Sequence, residues 1–230
     1  MSRGRRDQQG SGLAYHFLAA VDLEGFSRLD AAQQARRHQE LARVLDAAAR
    51  RTGMDRSAWE REVQGDGELA VLPDGTDGPA LVARYPRELA NALARVNGDG
   101  GSWPRLRLRL ALHHGTLAAG EFGKLGDAPT VVSRLRDSDV LRRELARRIN
   151  EDLVLIVSES IYRDVVKTRW LDLDPAEFVP VPVRVKGQEY RGYIHRPLRE
   201  GTVGAGTLAS SPEEPPRRGD GTLLIPSRGR

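Results

Sequence analysis

The chain has 230 residues, 39% hydrophobic and 30% charged, and carries a net charge of +4 from 36 basic and 32 acidic side chains. That balance suits one globular domain with tails and excludes a chain disordered throughout. The lack of cysteine excludes disulfides, zinc–thiolate sites, iron–sulfur clusters and thiol nucleophiles.

The N-terminal MSRGRRDQQGSG is a flexible basic stretch that leads into no signal-peptide core, which predicts a cytoplasmic protein. LAYHFLAAVDL, residues 13–23, is an apolar run of strand length, broken by His16 and Asp22 and so no membrane span. After Glu24-Gly25, Ser27 is the expected N-cap of a helix that carries Leu41, Val44, Leu45 and Ala48 on one face. WEREVQ and ELAVLP, joined by Gly65-Asp66-Gly67, predict a hairpin. A second helix follows Pro86, with Leu89, Leu93 and Val96 on one face. RLRLRLALHHG alternates charge and leucine as a strand does. A helical stretch from Ala128 to Asn150 breaks near Asp137-Ser138-Asp139. DLVLIVS is a buried strand, SESIYRDVV a short helix, and VRV with YRGYIHR a closing strand pair. The order β-α-β-β-α-β, with appended elements, predicts an α+β fold with a ferredoxin-like split βαβ core over residues 13–198. Residues 199–230 are rich in Gly, Pro, Ser and charge without an apolar face, which predicts a disordered tail. The near balance of charge and the 5% aromatic content predict no dedicated nucleic-acid binding.

Asp22 ends a buried strand, and Asp66 sits at a hairpin tip. In the split arrangement these strands are neighbours, so both carboxylates can serve one Mg²⁺ site, which implies a phosphate substrate. The alternative is that Asp22 caps the next helix and Asp66 occupies a turn that favours Asp-Gly. His113 and His114 face opposite sides of their strand, so at most one reaches a site. Trp59, Trp103 and Trp170 read as packing or rim residues, and Glu24 and Glu68 as neighbours of the proposed site rather than ligands.

VDLEGFSRL at 21–29 followed by QGDGELAVLP at 64–73 resembles the catalytic domain of class III nucleotidyl cyclases. The resemblance continues through LRLALHHGTLAAGEFG at 108–123, GDAPTVVSRLRDS at 126–138, LVLIVSESIYRDV and VRVKG at 183–187, and so spans nearly all of residues 12–197. It implies two Mg²⁺ or Mn²⁺ ions per site, held by Asp22, the main chain at Leu23, and Asp66. The ions would activate a ribose 3′-hydroxyl for attack on the α-phosphorus of a nucleoside triphosphate, giving a cyclic nucleotide and pyrophosphate. Arg134 matches the arginine that stabilises the transition state, and Lys186 the lysine near the terminal phosphates. Thr130 stands where the family has the asparagine that orients the ribose, with one donor in place of an amide's two. Glu62 and Gly123 align with the base-reading pair, and an acidic residue at Glu62 resembles guanylate-forming members. Gly123 has no side chain to read a base, and the arm between Gly120 and Gly126 is shorter than in most members. Short defence-associated relatives make cyclic pyrimidine nucleotides, so the resemblance extends to antiphage signalling with a cyclic-nucleotide effector encoded nearby. Because the family's carboxylates and its arginine and lysine come from opposite protomers, a homodimer with shared sites is implied.

A second reading is a nucleotide-binding sensor that keeps the fold without turnover, favoured by Thr130, Gly123 and the short arm. GDGELAVLP also resembles the hairpin of diguanylate cyclases, but Gly67 breaks that family's acidic pair and GDAPTVVSR has no counterpart there.

Overall fold

The computed structural model describes residues 13–98, 104–120, 123–185 and 187–197. The flexible N-terminus and the disordered tail expected from the sequence lie outside the described residues. Eight strands form one sheet: β1 (Leu13–Leu23), β2 (Glu60–Gln64), β3 (Gly67–Val71), β4 (Leu108–Gly120), β5 (Gly123–Leu125), β6 (Leu153–Ser158), β7 (Phe178–Val185) and β8 (Gln188–His195). Their order is β2-β3-β1-β4-β6-β8-β7, with β5 folded back on β4. The first four strands stand as β2-β3-β1-β4, all antiparallel, which is the split βαβ core expected from the sequence. β6 joins β4 in parallel, and β7 and β8 add an antiparallel pair beyond it.

The helices are α1 (Ala31–Arg51), α2 (Gly78–Ala83), α3 (Tyr85–Gly98), α4 (Ala128–Arg136), α5 (Asp139–Arg147) and α6 (Glu159–Asp164). Strand alternation divides the core in two. Ala19, Val21 and Leu23 of β1 pack with α1, α2, α3 and α6, together with Leu106, Leu108, Leu110 and Leu112. Leu18 and Ala20 of β1, with Ala111 of β4, pack on the opposite face against Val132 and Leu135 of α4 and Leu141 and Leu145 of α5. Among the described residues no helix is long and apolar enough to cross a membrane.

Three local expectations are corrected. The first helix is capped by Asp30 rather than Ser27, because Phe26–Arg28 forms a separate 3-10 turn that sinks Phe26 into the core. Asp30 and Gln33 complete a reciprocal capping box. Strand β4 runs on through Gly120, since the outer half of β1 pairs with it from Leu13↔Ala118 inward. Strand β7 begins at Phe178 and includes Pro180 and Pro182, which an edge strand tolerates because one flank of its backbone needs no ladder partner.

Candidate active site

Asp22 is the last inward position of β1 on the face covered by α4 and α5. It is 4% exposed. Cα pairing runs straight across four strands there: Gln64 of β2, Gly67 of β3, Asp22 of β1 and Arg109 of β4. Paired residues share a sheet face, so this row presents an amide, a gap, a carboxylate and a guanidinium. Glycine is required at Gly67 because a Cβ would stand 2.0 Å from the Val21 carbonyl oxygen. That close approach lets the hairpin tip pack beside Asp22.

The tip is tied down from both sides. The Leu23 N–H donates to the Asp66 carbonyl at 3.0 Å, so the residue after the first aspartate is bonded to the second. Gly65, in the left-handed region at φ 57°, makes the turn that brings Asp66 there. His38 of α1 donates through Nε2 to the Gly65 carbonyl at 2.7 Å and stacks on Phe26 at 4.7 Å between ring centroids. One histidine thus links the loop after Asp22 to the hairpin tip. Asp22, Leu23 and Asp66 are therefore brought together. Among the described residues no cluster of three or more His, Asp or Glu side chains has metal-ligand placement. What the trio offers is two hard carboxylates and main-chain oxygen, a donor set that fits Mg²⁺ or Mn²⁺, which take one or two carboxylates and draw other ligands from phosphate and water.

Asp22 accepts from Nη2 of Arg109. Burial, together with Arg142 and Arg136, holds the Arg109 guanidinium down to about 10, against the pull of Asp137. Arg136 is itself buried and reaches from the end of α4 to Gln64 at 3.1 Å, while its other nitrogens are engaged by Asp137. On the other face of the hairpin, Glu68 pairs with Arg56 at 2.5 Å, and Arg56 also pairs with Asp46 at 2.5 Å. Burial raises Glu68, and Arg56 opposes the shift. Glu24 pairs with Arg107 at 2.6 Å. Both glutamates are thus held by arginines.

The remaining predicted residues belong to other elements or lie outside the described residues. Thr130 and Arg134 lie four residues apart on α4, on one helix face. Arg134 donates to Gln188 and Tyr190 of β8 and lies 5.3 Å from the Tyr190 ring centroid. β8 is three strand spacings from β1, about 14 Å across the sheet. Within one chain, Arg134 is held away from Asp22. Glu62 is exposed on β2 opposite Leu69. Lys186 lies outside the described residues, and Gly123 is described only as the start of β5.

Arg109, Arg136, His38, Gln188 and Tyr190 are the site neighbours that sequence reasoning missed. Only Arg109 left a signal. The RLRLRL alternation puts Arg107 and Arg109 opposite the leucines, and a carboxylate on a buried strand calls for a cation. Naming the partner needed the β1–β4 register. Of the two histidines, His113 is pushed down to about 4 by burial and by His114, while His114 stacks on Phe17 at 4.5 Å. Both serve the packing. Trp59 is buried and Trp170 exposed, a packing and a rim residue, while Trp103 lies outside the described residues.

Comparison with protein-family models gave no match, and comparison with curated proteins gave none. Solved structures do match. An adenylate/guanylate cyclase/hydrolase from Silicibacter pomeroyi superposes with a TM-score of 0.55 at 19% identity, over 80% of this chain and 98% of that one. The guanylyl cyclase Cya2 gives 0.52 at 16% identity, over 83% and 96%. The adenylyl cyclase CyaB from P. aeruginosa gives 0.51 at 16% identity, over 82% and 97%. The chain has the fold of class III nucleotidyl cyclase catalytic domains.

Proposed function

From that fold we propose that the protein is a nucleotidyl cyclase, converting a nucleoside triphosphate to a 3′,5′-cyclic nucleotide and pyrophosphate. The observation that supports the reading is the main-chain hydrogen bond from Leu23 to Asp66, which ties the hairpin tip that carries Asp66 to the end of β1 that carries Asp22. When bound, two Mg²⁺ or Mn²⁺ ions at Asp22, Leu23 and Asp66 would supply Lewis-acid activation and neutralise phosphate charge.

The chain's own residues have distinct tasks. Asp22, at the end of β1, and Asp66, in the turn between β2 and β3, supply the negative charge that holds the ions. The ribose 3′-oxygen forms a bond to the α-phosphorus as the bond to the pyrophosphate oxygen breaks, and the hydroxyl proton leaves to solvent. Arg134 donates to the phosphoryl oxygens as charge develops. Thr130 donates one hydrogen bond to the ribose, and Lys186 meets the terminal phosphates. Because Arg134 is drawn toward β8 in its own chain, it serves the carboxylates of a partner, and the working unit is a homodimer with two shared sites.

Glu62, exposed on β2, accepts from base N–H donors, as the acidic residue of the guanylate-forming members does. Gly123 adds no side chain to read the base, and the short defence-associated relatives that the chain resembles make cyclic pyrimidine nucleotides, so UTP and CTP are the first expected substrates. The setting implied by the resemblance is antiphage signalling through a cyclic-nucleotide effector. The test is to incubate the chain with each of the four triphosphates and Mn²⁺ or Mg²⁺ and identify cyclic products by mass spectrometry. One triphosphate is expected to give product, lost in Asp22→Asn and Asp66→Asn. No product from any of the four, with nucleotide binding weakened in Asp66→Ala, would establish the sensor reading instead.

A further inference from the structure

The charges around Asp22 carry an inference about how the site loads. Arg109 reaches Asp22 with its side chain 12% exposed, and its Nε is buried without a hydrogen-bond partner. Arg136, engaged by Asp137, also reaches Gln64, which belongs to the same cross-strand row as Asp22 and Arg109. On the other flank of Asp22 the paired residue is Gly67, which adds no side chain. One buried site carboxylate thus faces a guanidinium on one flank and no side chain on the other. A divalent cation arriving alone at Asp22 has to displace Arg109 and then remain beside it, a like-charge contact that is costly in a poorly solvated site. An arriving polyphosphate removes that cost by giving the guanidinium new anionic oxygens.

We propose that Arg109 is the resident counter-ion of Asp22, so that a divalent ion enters the Asp22–Asp66 site only together with a polyphosphate. The proposal rests on the cyclase reading of the same site and adds its loading order. Linkage makes the coupling reciprocal: the polyphosphate raises metal affinity by the factor by which the metal raises polyphosphate affinity.

The test uses the full chain at pH 8 with Mn²⁺ alone, inorganic tripolyphosphate alone, and both at matched free Mn²⁺. It is read by the electron paramagnetic resonance signal of free Mn²⁺ and by the thermal unfolding midpoint. Wild type is expected to gain no stability from Mn²⁺ alone and to gain it from the pair. Arg109→Met is expected to bind Mn²⁺ alone at least about tenfold tighter than wild type and to lose most of the tripolyphosphate dependence. Asp22→Asn in that background should abolish the gain, and Arg109→Lys, which keeps the cation, should restore wild-type behaviour. Equal Mn²⁺ affinity of wild type and Arg109→Met, or wild-type Mn²⁺ affinity indifferent to tripolyphosphate, overturns the proposal. If Arg109→Met does not fold, the wild-type comparison with and without tripolyphosphate still decides. None of these readouts needs turnover, so failure of the coupling is distinguishable from failure of the cyclase assay.

Discussion

Asp22 shows what a single buried charge demands of its neighbours. A carboxylate this deep on a central strand persists because Arg109 meets it from the next strand. Removing one partner of such a pair leaves an uncompensated charge, so Arg109→Met is expected to lower stability by about 3 kcal/mol, and Arg109→Lys by less, in chemical denaturation. His113 makes a separate prediction about pH. Its folded value of about 4 lies below its ordinary value, so the unfolded chain binds the proton first as pH falls. The stability of the neutral, buried imidazole is complete above about pH 6.5 and is lost toward pH 4, on the order of 3 kcal/mol. His114 and His195, both lowered by burial, add to the same trend. In His113→Asn the decline in melting temperature between pH 7 and 4.5 should be visibly shallower than in wild type.

Elements decide how accurately those residues meet. The β2–β3 hairpin approaches β1 closely only because Gly67 has no Cβ. Gly67→Ala should push the hairpin out and break the Leu23–Asp66 bond. We expect a loss of about 1–3 kcal/mol in stability and a larger proportional loss of turnover than that destabilisation explains. The helix α1 sets His38 against the hairpin tip, and its start is fixed by the Asp30 capping box. Asp30→Ala should lower stability by about 1 kcal/mol in thermal melts. Sequence reading located both strands of the hairpin and the body of this helix but misplaced the helix start. Ser27 and Asp30 are both competent caps, and the choice turned on Phe26 reaching the core, a tertiary contact. The start of β7, upstream of Pro180 and Pro182, was decided in the same way, because whether a strand is an edge that tolerates proline depends on the whole sheet.

At the scale of the molecule, the two halves of the proposed chemistry lie on different parts of one chain. Asp22 and Asp66 meet at the β1–β3 end, while Arg134 is gathered toward β8. Mixing an Asp66→Ala chain with an Arg134→Ala chain, each inactive alone, is expected to restore activity from the one intact site per heterodimer. An inactive mixture in which heterodimers have formed rules out shared sites. The strand order of the core and the nearness of Asp22 to Asp66 were legible in the residues, because alternation, turn chemistry and helical periodicity are local properties that a chain writes along its length. The Arg109 ion pair, the Arg136 bridge to Gln64 and the seat of Arg134 against Tyr190 were settled only by folding. Each joins positions 54 or more residues apart, and their meeting depends on which strands pair and in which register, a choice made by the packing of the whole sheet rather than by any one segment.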